Sequence, residues 1–488
     1  MMASSPIRML ERVSSRESLL LVDEDYPRPR AADVLCRPEN DHLLRYVVRD
    51  PFGSHVFPGT RECSRERFLQ SLQAELEGQN PYFLWATIPL CKYHCYFCQF
   101  PIVMRKHDAA AFREQARNWV DLNIAEARLW LALVPALRDA PVGEFCLFGG
   151  TPTLLPDELL AELLDFYRSN FGFSADTTIR IEGSPDSLSS DKLALLHKKG
   201  CRKITYGIQS FDDRLVALAG REHTSDEARA VVRHAFLSGF ERVDGDLIYG
   251  LLDQRVEGFC HDVRQMLELD YSTVVMTKLH LRPFGETGTA IAGVPARWQS
   301  PASRALASRE GHRWPSLGEQ YQMREAAVAL LEDAGLFEYP TMYFQKPETG
   351  CGRWKSLVLD QDKQFVEVGI GLGASSATRR CSANVATRPG AYLDAIASGE
   401  LPLDLLEMSP DEEIASSLRR ALTTCQPLRD DLHRARFAGG SLFDQRWKPV
   451  FQSLERRGLA AIRPDEGTVE LTGVGKTLVE AIVNTEIR

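Results

Sequence analysis

The chain lacks any apolar run that could cross a bilayer, since it has no stretch of about 18 consecutive apolar residues. Its first residues, 1–11, contain no apolar core of the kind found in secretory signals. It also lacks excess positive charge: the formal net charge is -9, and no basic stripe is available to neutralise phosphates. We therefore expect a cytoplasmic protein with neither nucleic-acid nor membrane partners, acting as a monomer on a small molecule.

A disulfide framework is also missing. The cysteines number eleven, an odd count, and those outside one triplet are scattered without a pairing pattern. In a reducing compartment such cysteines are ordinary core or surface residues. The eleven histidines are likewise spread without a motif, so no haem ligand can be identified from the sequence.

What the chain does contain is a cysteine triplet, Cys91, Cys95 and Cys98, directly after the apolar run 83–88. The run predicts a buried strand and places the cysteines in the loop that follows. Three thiolates can hold a four-iron cluster and leave one iron open for another ligand. The alternative is a closed Cys3His zinc site that includes His94, although zinc ligands normally come as pairs from two separated segments.

Downstream of the triplet, predicted strands alternate with predicted helices. A chain of 488 residues suggests one large domain with smaller appendages, and repeated alternation implies parallel strands, here in a full or partial β/α barrel. The predicted strands are 83–88, 144–148, 178–182, 203–208, 242–248 and 273–279. Because the loops after barrel strands form the active site, the polar residues at these strand ends should share one site.

We divide the chain into four parts. Residues 1–80 form an N-terminal extension, partly mobile up to about residue 40, and residues 81–290 form the barrel. Residues 291–400 are expected to cover the barrel. Residues 401–488 are predicted to form a helical, winged-helix-like C-terminal module, with a capping box at Ser409–Glu412 and strands at 460–463 and 468–471.

The motifs together resemble a known family. They are the cysteine triplet and the segments 148–153, 207–211, 246–250 and 471–475. The chain is similar to the oxygen-independent coproporphyrinogen III dehydrogenase family of radical S-adenosylmethionine (SAM) enzymes, including its class C methyltransferase and cyclopropanase branch. The resemblance implies a partial (β/α)6 radical SAM barrel, a [4Fe-4S] cluster on the three cysteines, two SAM molecules per chain, and a one-electron donor such as flavodoxin or ferredoxin.

The resemblance also implies a set of SAM contacts. Gly149 and Glu182 would bind the cluster-bound SAM, with Trp85 where the family has tyrosine, and the others would border a second SAM. No proton-transferring residue is singled out. The implied contacts are Trp85, Phe97, Gly149, Gly150, Thr151, Glu182, Gln209, Arg221, Asp246 and His280.

Departures from the family pattern determine the expected reaction. The dehydrogenases carry a further cysteine where this chain has Phe100, and Leu251 replaces a proline. We therefore expect transfer of a methyl or methylene carbon to an unsaturated or aromatic small molecule, as C-methylation or cyclopropanation. The alternatives are oxidative decarboxylation of coproporphyrinogen III or another tetrapyrrole modification, and a haem-binding chaperone.

Overall fold

The computed structural model describes residues 16–49, 59–78, 80–281, 297–346, 366–438 and 440–488. Part of the N-terminal extension, residues 1–15, lies outside these ranges. No helix within them is long and apolar enough to span a membrane.

The helices fall before, within and after the predicted barrel. They are α1 (Arg16–Leu20), α2 (Arg30–Leu35), α3 (Asp41–Arg49), α4 (Arg65–Glu77), α5 (Ala109–Leu133), α6 (Asp157–Asn170), α7 (Ser190–Lys198), α8 (Asp213–Leu218), α9 (Ser225–Leu237), α10 (Val256–Glu268), α11 (Pro301–Arg309), α12 (Leu317–Asp333), α13 (Pro389–Ala397), α14 (Pro410–Thr423), α15 (Asp430–Arg436), α16 (Lys448–Arg456), α17 (Gly473–Thr477) and α18 (Val479–Thr485).

The strands form one large sheet, a small C-terminal sheet and a short strand pair. They are β1 (Arg61–Glu62), β2 (Tyr82–Ile88), β3 (Leu90–Cys91), β4 (Val103–Met104), β5 (Val142–Gly149), β6 (Thr178–Gly183), β7 (Cys201–Gln209), β8 (Arg242–Tyr249), β9 (Thr273–Lys278), β10 (Phe337–Glu338), β11 (Tyr343–Gln345), β12 (Glu367–Ile370), β13 (Ser375–Ala377), β14 (Cys381–Val385), β15 (Leu403–Glu407), β16 (Leu428–Arg429), β17 (Ala460–Arg463) and β18 (Thr468–Leu471).

The six predicted parallel strands are confirmed. In the order β2-β5-β6-β7-β8-β9, each strand pairs in parallel with its neighbour. Along β6, the alternate residues Ile179 and Ile181 belong to the apolar core, whereas Arg180 and Glu182 form ion pairs with side chains of the barrel strands. This period of two places apolar side chains under the helices and polar ones inside the barrel.

The segment after the barrel extends the sheet at both edges. Strand β11 pairs antiparallel with β9. At the other edge β12 pairs in parallel with β2, and β13, β14 and β15 continue from it. We predicted a covering segment here, but the described residues of 291–400 place these strands in the barrel sheet itself.

The N-terminal extension packs on α12. Gln322 accepts from the amide of Asp23 at 2.7 Å, and Glu325 accepts from the amides of Arg30 and Ala31 at 2.9 Å each. Gly318 makes the approach possible, because an added Cβ would lie 2.4 Å from the carbonyl oxygen of Leu21. The structure thus describes packed helices within residues 16–49, where the sequence predicts little order.

The C-terminal module is helical with a three-stranded sheet of order β16-β18-β17, as the fold prediction requires. Strands β17 and β18 have the predicted bounds and pair antiparallel from Ala460↔Leu471 to Arg463↔Thr468. The predicted capping box is present, since Ser409 accepts from the Glu412 amide and Glu412 accepts from the Ser409 amide. The module shares an apolar core with the N-terminal helices, including Leu35, Leu43 and Phe451.

Candidate functional site

The cysteine loop lies at the carboxyl end of β2. Leu90 and Cys91 pair in parallel with Val103 and Met104, so the chain leaves the barrel, forms the loop and returns alongside itself. The loop is tied to the far side of the barrel, because the amide of Tyr96 donates to the carbonyl of Ala219 at 2.8 Å.

The three cysteine thiols share one half-buried pocket. Cys91 Sγ lies 3.7 Å from Thr151 Oγ1, and Arg221 Nη1 lies 3.4 Å from Cys95 Sγ. Burial raises the pKa of Cys91 to about 12, with the charge of Cys95 adding to the increase. Burial also raises the pKa of Cys98, where Cys95 and Cys91 act in the same direction. A bound cation would relieve this cost by favouring thiolates.

The donor set fits an iron-sulfur cluster better than a single ion. Among the described residues, no three His, Cys, Asp or Glu side chains are grouped to hold one metal ion. Cluster cysteines instead bind different irons and need not meet at one point. Close backbone approach supports this fit: an added Cβ at Gly150 would lie 2.6 Å from the carbonyl oxygen of Leu90.

Arg221 reaches the pocket from the loop after α8. Its guanidinium donates to Gly207 O at 2.8 Å, to Ser184 Oγ at 3.0 Å and to His223 Nδ1 at 3.3 Å. Burial opposes its charge, but Cys95 among other groups outweighs burial and raises the pKa of Arg221. Arg221 therefore remains cationic beside the cysteines.

A second polar group, which the sequence did not reveal, fixes the start of the loop. Lys92 pairs with Asp186 at 3.0 Å and with Glu222 at 2.8 Å. Tyr93 Oη lies 3.0 Å from Ser184 Oγ and donates to Asp186 at 3.2 Å. Burial opposes the charge on Lys92, yet the two carboxylates outweigh it and raise its pKa to about 12. These contacts join residues distant in sequence, so no local motif indicates them.

Glu182, whose side chain is 35% exposed, lies inside the barrel and forms an ion-pair triad with the buried residues Arg180 and Glu144. Arg180 donates to Glu144 Oε1 and to Glu182 Oε1, each at 3.0 Å. Glu144 is fully buried and Arg180 is 8% exposed. Burial raises the pKa of Glu182 above its ordinary value, although the charges of Arg180 and Lys203 act in the opposite direction. The sequence signal that could have indicated this triad was the charged residues at alternate positions of predicted strands.

The predicted contacts after β5 and β7 lie at the strand ends. Gly149 closes β5 with φ of 112°, and the amides of Gly150 and Thr151 donate to Ile88 O and Leu90 O at 2.8 and 2.7 Å. Gln209 closes β7 with φ of 69° and is 7% exposed. These residues lie at the cysteine-loop end of the barrel.

The remaining predicted contacts lie on two strands and the loop. Asp246 is in β8, where it pairs with Val275 of β9. The carbonyl of His280, after β9, accepts from Gln99 of the cysteine loop at 3.5 Å. Phe97 packs near Trp298, with ring centroids 6.4 Å apart.

The Trp85 side chain is held by contacts within the protein. Its indole N–H donates to Ser375 O at 2.7 Å, and its ring stacks on Phe148 with centroids 4.8 Å apart at 11°. The indole N–H is therefore used in a hydrogen bond to β13.

A cleft opens beside the ends of β8 and β9, with an empty volume of about 620 Å³. Five separate parts of the chain line it: α3, the ends of the barrel strands, α12, the turn between β10 and β11, and the C-terminal module. Its aromatic and cationic lining residues are Tyr46, Tyr249, Lys278, His280, Tyr321, Arg324 and Lys476. Arg324 is paired with Glu338 at 2.8 Å. Of these only His280 was among the predicted site residues.

The family model of the radical SAM superfamily matches residues 85–265. This part of the chain is therefore a radical SAM domain, and members of that superfamily use a [4Fe-4S] cluster and SAM. Within it, the similarities are to haem chaperones and coproporphyrinogen III oxidases. The haem chaperone HemW of Bacillus subtilis is 25% identical over 397 residues, which cover 80% of this chain and 95% of that relative.

Two further comparisons concern the oxidases. The oxygen-independent coproporphyrinogen III oxidase of Salmonella typhimurium is 30% identical over 203 residues, but the alignment spans only 42% of either protein. The solved structure of coproporphyrinogen III oxidase (HemN) from Escherichia coli matches with a TM-score of 0.73 and 22% identity, covering 91% of this chain and 98% of that one. That likeness establishes the fold over nearly the whole chain.

These relatives correct the predicted reaction. The expected C-methylation or cyclopropanation, and the class C branch, are contradicted by the similarity to haem chaperones and coproporphyrinogen oxidases. The prediction rested on the implied second SAM site and on departures from the family pattern, chiefly Phe100 replacing a cysteine. One residue, 45% exposed at the end of the loop, does not define the substrate.

Proposed function

We propose that the protein is a radical SAM enzyme that acts on a tetrapyrrole with carboxylate side chains. The observation that carries this proposal is the cleft at the barrel mouth, where tyrosines and cations lie together. Tyr46, Tyr249 and Tyr321 offer flat apolar surface with polar tips, and Lys278 and Lys476 offer positive charge. A flat macrocycle with peripheral carboxylates matches both features.

The residues of the pocket have separate roles in this proposal. When bound and reduced by one electron, the cluster and SAM supply a 5'-deoxyadenosyl radical. Cys91, Cys95 and Cys98 would hold the cluster. Glu182 would pair with the ammonium group of SAM, and Gly149 would border its methionine part.

The number of SAM molecules is a further part of the proposal. Gln209 ends β7 beside Gly207, which accepts from Arg221, and these groups would border a second SAM with Asp246. Equilibrium dialysis of the reconstituted protein with labelled SAM should give two molecules per chain. Binding of one molecule, unchanged by Gln209→Ala, would reject the second site.

The test of the substrate class uses the anaerobic, reconstituted and reduced protein with coproporphyrinogen III. We expect 5'-deoxyadenosine to form faster with this substrate than without it, together with a changed tetrapyrrole detected by mass spectrometry. Lys476→Gln should raise the KM for the tetrapyrrole, whereas Lys448→Gln, on the exposed start of α16 away from the cleft, should not. SAM cleavage that ignores the tetrapyrrole would reject the proposal.

A haem chaperone is the second candidate, favoured by alignments with HemW relatives that span 95 and 96% of their lengths at 25 and 27% identity. In that case haem would bind tightly and leave unmodified, and SAM cleavage would not depend on it. Optical titration with haem, followed by mass analysis of the recovered tetrapyrrole, distinguishes binding from chemistry.

A further inference from the structure

The cysteine loop borders an exposed rim, residues 100–106, that has both apolar and cationic side chains. Phe100 is 45% exposed and Met104 is 44% exposed. Arg105 and Lys106 follow directly, and no Asp or Glu occurs anywhere from 91 to 107, in a chain whose net charge is -9. The rim is thus a local positive surface on a negatively charged protein.

The charges of the rim are available to a partner. Lys92, at the other end of the loop, is neutralised by Asp186 and Glu222. Arg105 stacks over the ring of Phe112 at 5.9 Å, and neither Arg105 nor Lys106 forms an ion pair within the described part of the chain.

The rim is also joined to the cluster cysteines by backbone hydrogen bonds. Phe100 lies two residues after Cys98 in the chain. The amide of Arg105 donates to the carbonyl of Cys91 at 2.9 Å, and Met104 pairs with Cys91 in the β3–β4 ladder. Each exposed apolar residue therefore lies next to a residue that holds the cluster.

The rim is held in place by α5. Gln115 accepts from the amide of Lys106 at 2.9 Å and donates to the carbonyl of Met104 at 3.0 Å. Both contacts act on the backbone, so Phe100, Met104 and Lys106 are exposed on a fixed frame. A preformed surface of this kind suits a brief encounter with another protein.

We propose that the rim is the docking surface for an acidic one-electron carrier protein of the flavodoxin or ferredoxin type. This inference rests on the proposed radical SAM chemistry, which needs one electron per SAM cleaved. Arg105 and Lys106 would attract the acidic carrier, and Phe100 and Met104 would make the close contact. The electron would then enter beside Cys98 and Cys91, one hydrogen bond from the cluster ligands.

The test compares two reductants on the full, reconstituted chain. Formation of 5'-deoxyadenosine is measured with an enzymatically reduced flavodoxin and, separately, with photoreduced 5-deazaflavin, a small neutral reductant. Arg105→Glu with Lys106→Glu should lower kcat/KM for flavodoxin about tenfold or more at low salt, because electrostatic steering contributes at least that factor. The rate with deazaflavin and the iron content should stay as in the wild type.

A matched control reverses two cations at the opposite end of the barrel strands. Arg138 and Lys198 are exposed and precede β5 and β7, and Arg138→Glu with Lys198→Glu changes the net charge equally. This control should leave both reductant rates unchanged. The neutral variant Arg105→Gln with Lys106→Gln provides a milder test, in which the fall of the flavodoxin rate with added salt should become shallower.

Several results would overturn the proposal. Unchanged flavodoxin kinetics in both rim variants would mean that another segment of the chain, or a second copy, covers the rim. An equal loss in the rim variants and the control would show an effect of net charge alone. If the wild type formed no 5'-deoxyadenosine with deazaflavin, the radical SAM chemistry itself would be rejected. Failure of the docking proposal and failure of the proposed function are therefore distinguishable.

Discussion

Replacing Arg180 tests whether the triad inside the barrel prepares Glu182 for SAM. Arg180 bridges Glu144 and Glu182 with two hydrogen bonds of 3.0 Å, and Glu144 has no exposed surface. In Arg180→Met both carboxylates lose their cation. Burial already raises the pKa of Glu182. Removing Arg180 should raise it further, because the nearby positive charge that lowers it is gone.

Two magnitudes follow from this geometry. Removing one partner of a buried ion pair costs about 3–5 kcal/mol of unfolding free energy. Arg180→Met with Glu144→Leu should recover most of this loss, because the uncompensated charge of Glu144 is gone. A hydrogen bond to a charged group contributes about 1.5–3 kcal/mol, so a protonated Glu182 should weaken SAM binding by roughly 10- to 100-fold.

The assay measures the SAM dissociation constant by anaerobic equilibrium dialysis across pH 6.5 to 8.5. In Arg180→Met the affinity should improve as pH rises, because deprotonation restores the Glu182 carboxylate. The wild type should show little change, and Arg180→Lys should lie between the two, since it keeps the charge but loses the fork of donors. A pH-independent affinity in Arg180→Met, or an unfolding free energy equal to that of the wild type, would refute the positioning role.

Three further predictions concern other parts of the molecule. Cys95→Ala should lose most of the iron after anaerobic reconstitution and abolish SAM cleavage, whereas Cys36→Ala, distant from the loop, should lose neither. Burial raises the pKa of Glu126 to about 7 from 4.5, so the folded state gains stability as pH falls through 7; between pH 8 and 5.5 urea unfolding should show about 2 kcal/mol of this gain, absent in Glu126→Gln. Gly318→Ala should detach the N-terminal helices from α12 and expose residues 16–49 to limited proteolysis, because the added Cβ would lie 2.4 Å from Leu21 O; unchanged cleavage would contradict this contact.

Local chemistry made most of the barrel predictable. The N-caps at Ser64 and Thr224 are local signals of this kind, since their side chains accept from the amides of Arg67 and Glu227. Several barrel strands border a glycine, as at Gly149, Gly200 and Gly250, so the strand-helix alternation could be recognised despite errors of a few residues at the ends. The cysteine spacing indicated the cluster loop for the same reason, since it needs only one short segment.

Non-local contacts explain what the sequence did not predict. Strand β12 has four residues, and its place in the sheet depends on pairing with β2, more than 280 residues earlier in the chain. Helices α1, α2 and α3 are five, six and nine residues long, too short to be stable alone. Helices α1 and α2 depend on α12 for packing, and α3 packs on α18. The triad of Glu144, Arg180 and Glu182 likewise joins two strands.

The proposed function assigns radical generation and substrate choice to different parts of this chain. The superfamily model covers residues 85–265, which hold the cysteines, Glu182 and Arg221. The cleft has walls outside that range, at Tyr46, Tyr321 and Lys476. Motifs within the barrel can therefore establish that SAM is cleaved and still leave the substrate open, which is how the methylation prediction failed. Because Tyr46 receives a hydrogen bond from Asn484 at 3.0 Å, the N-terminal extension and the C-terminal module form this wall together, and substrate specificity should change with either one.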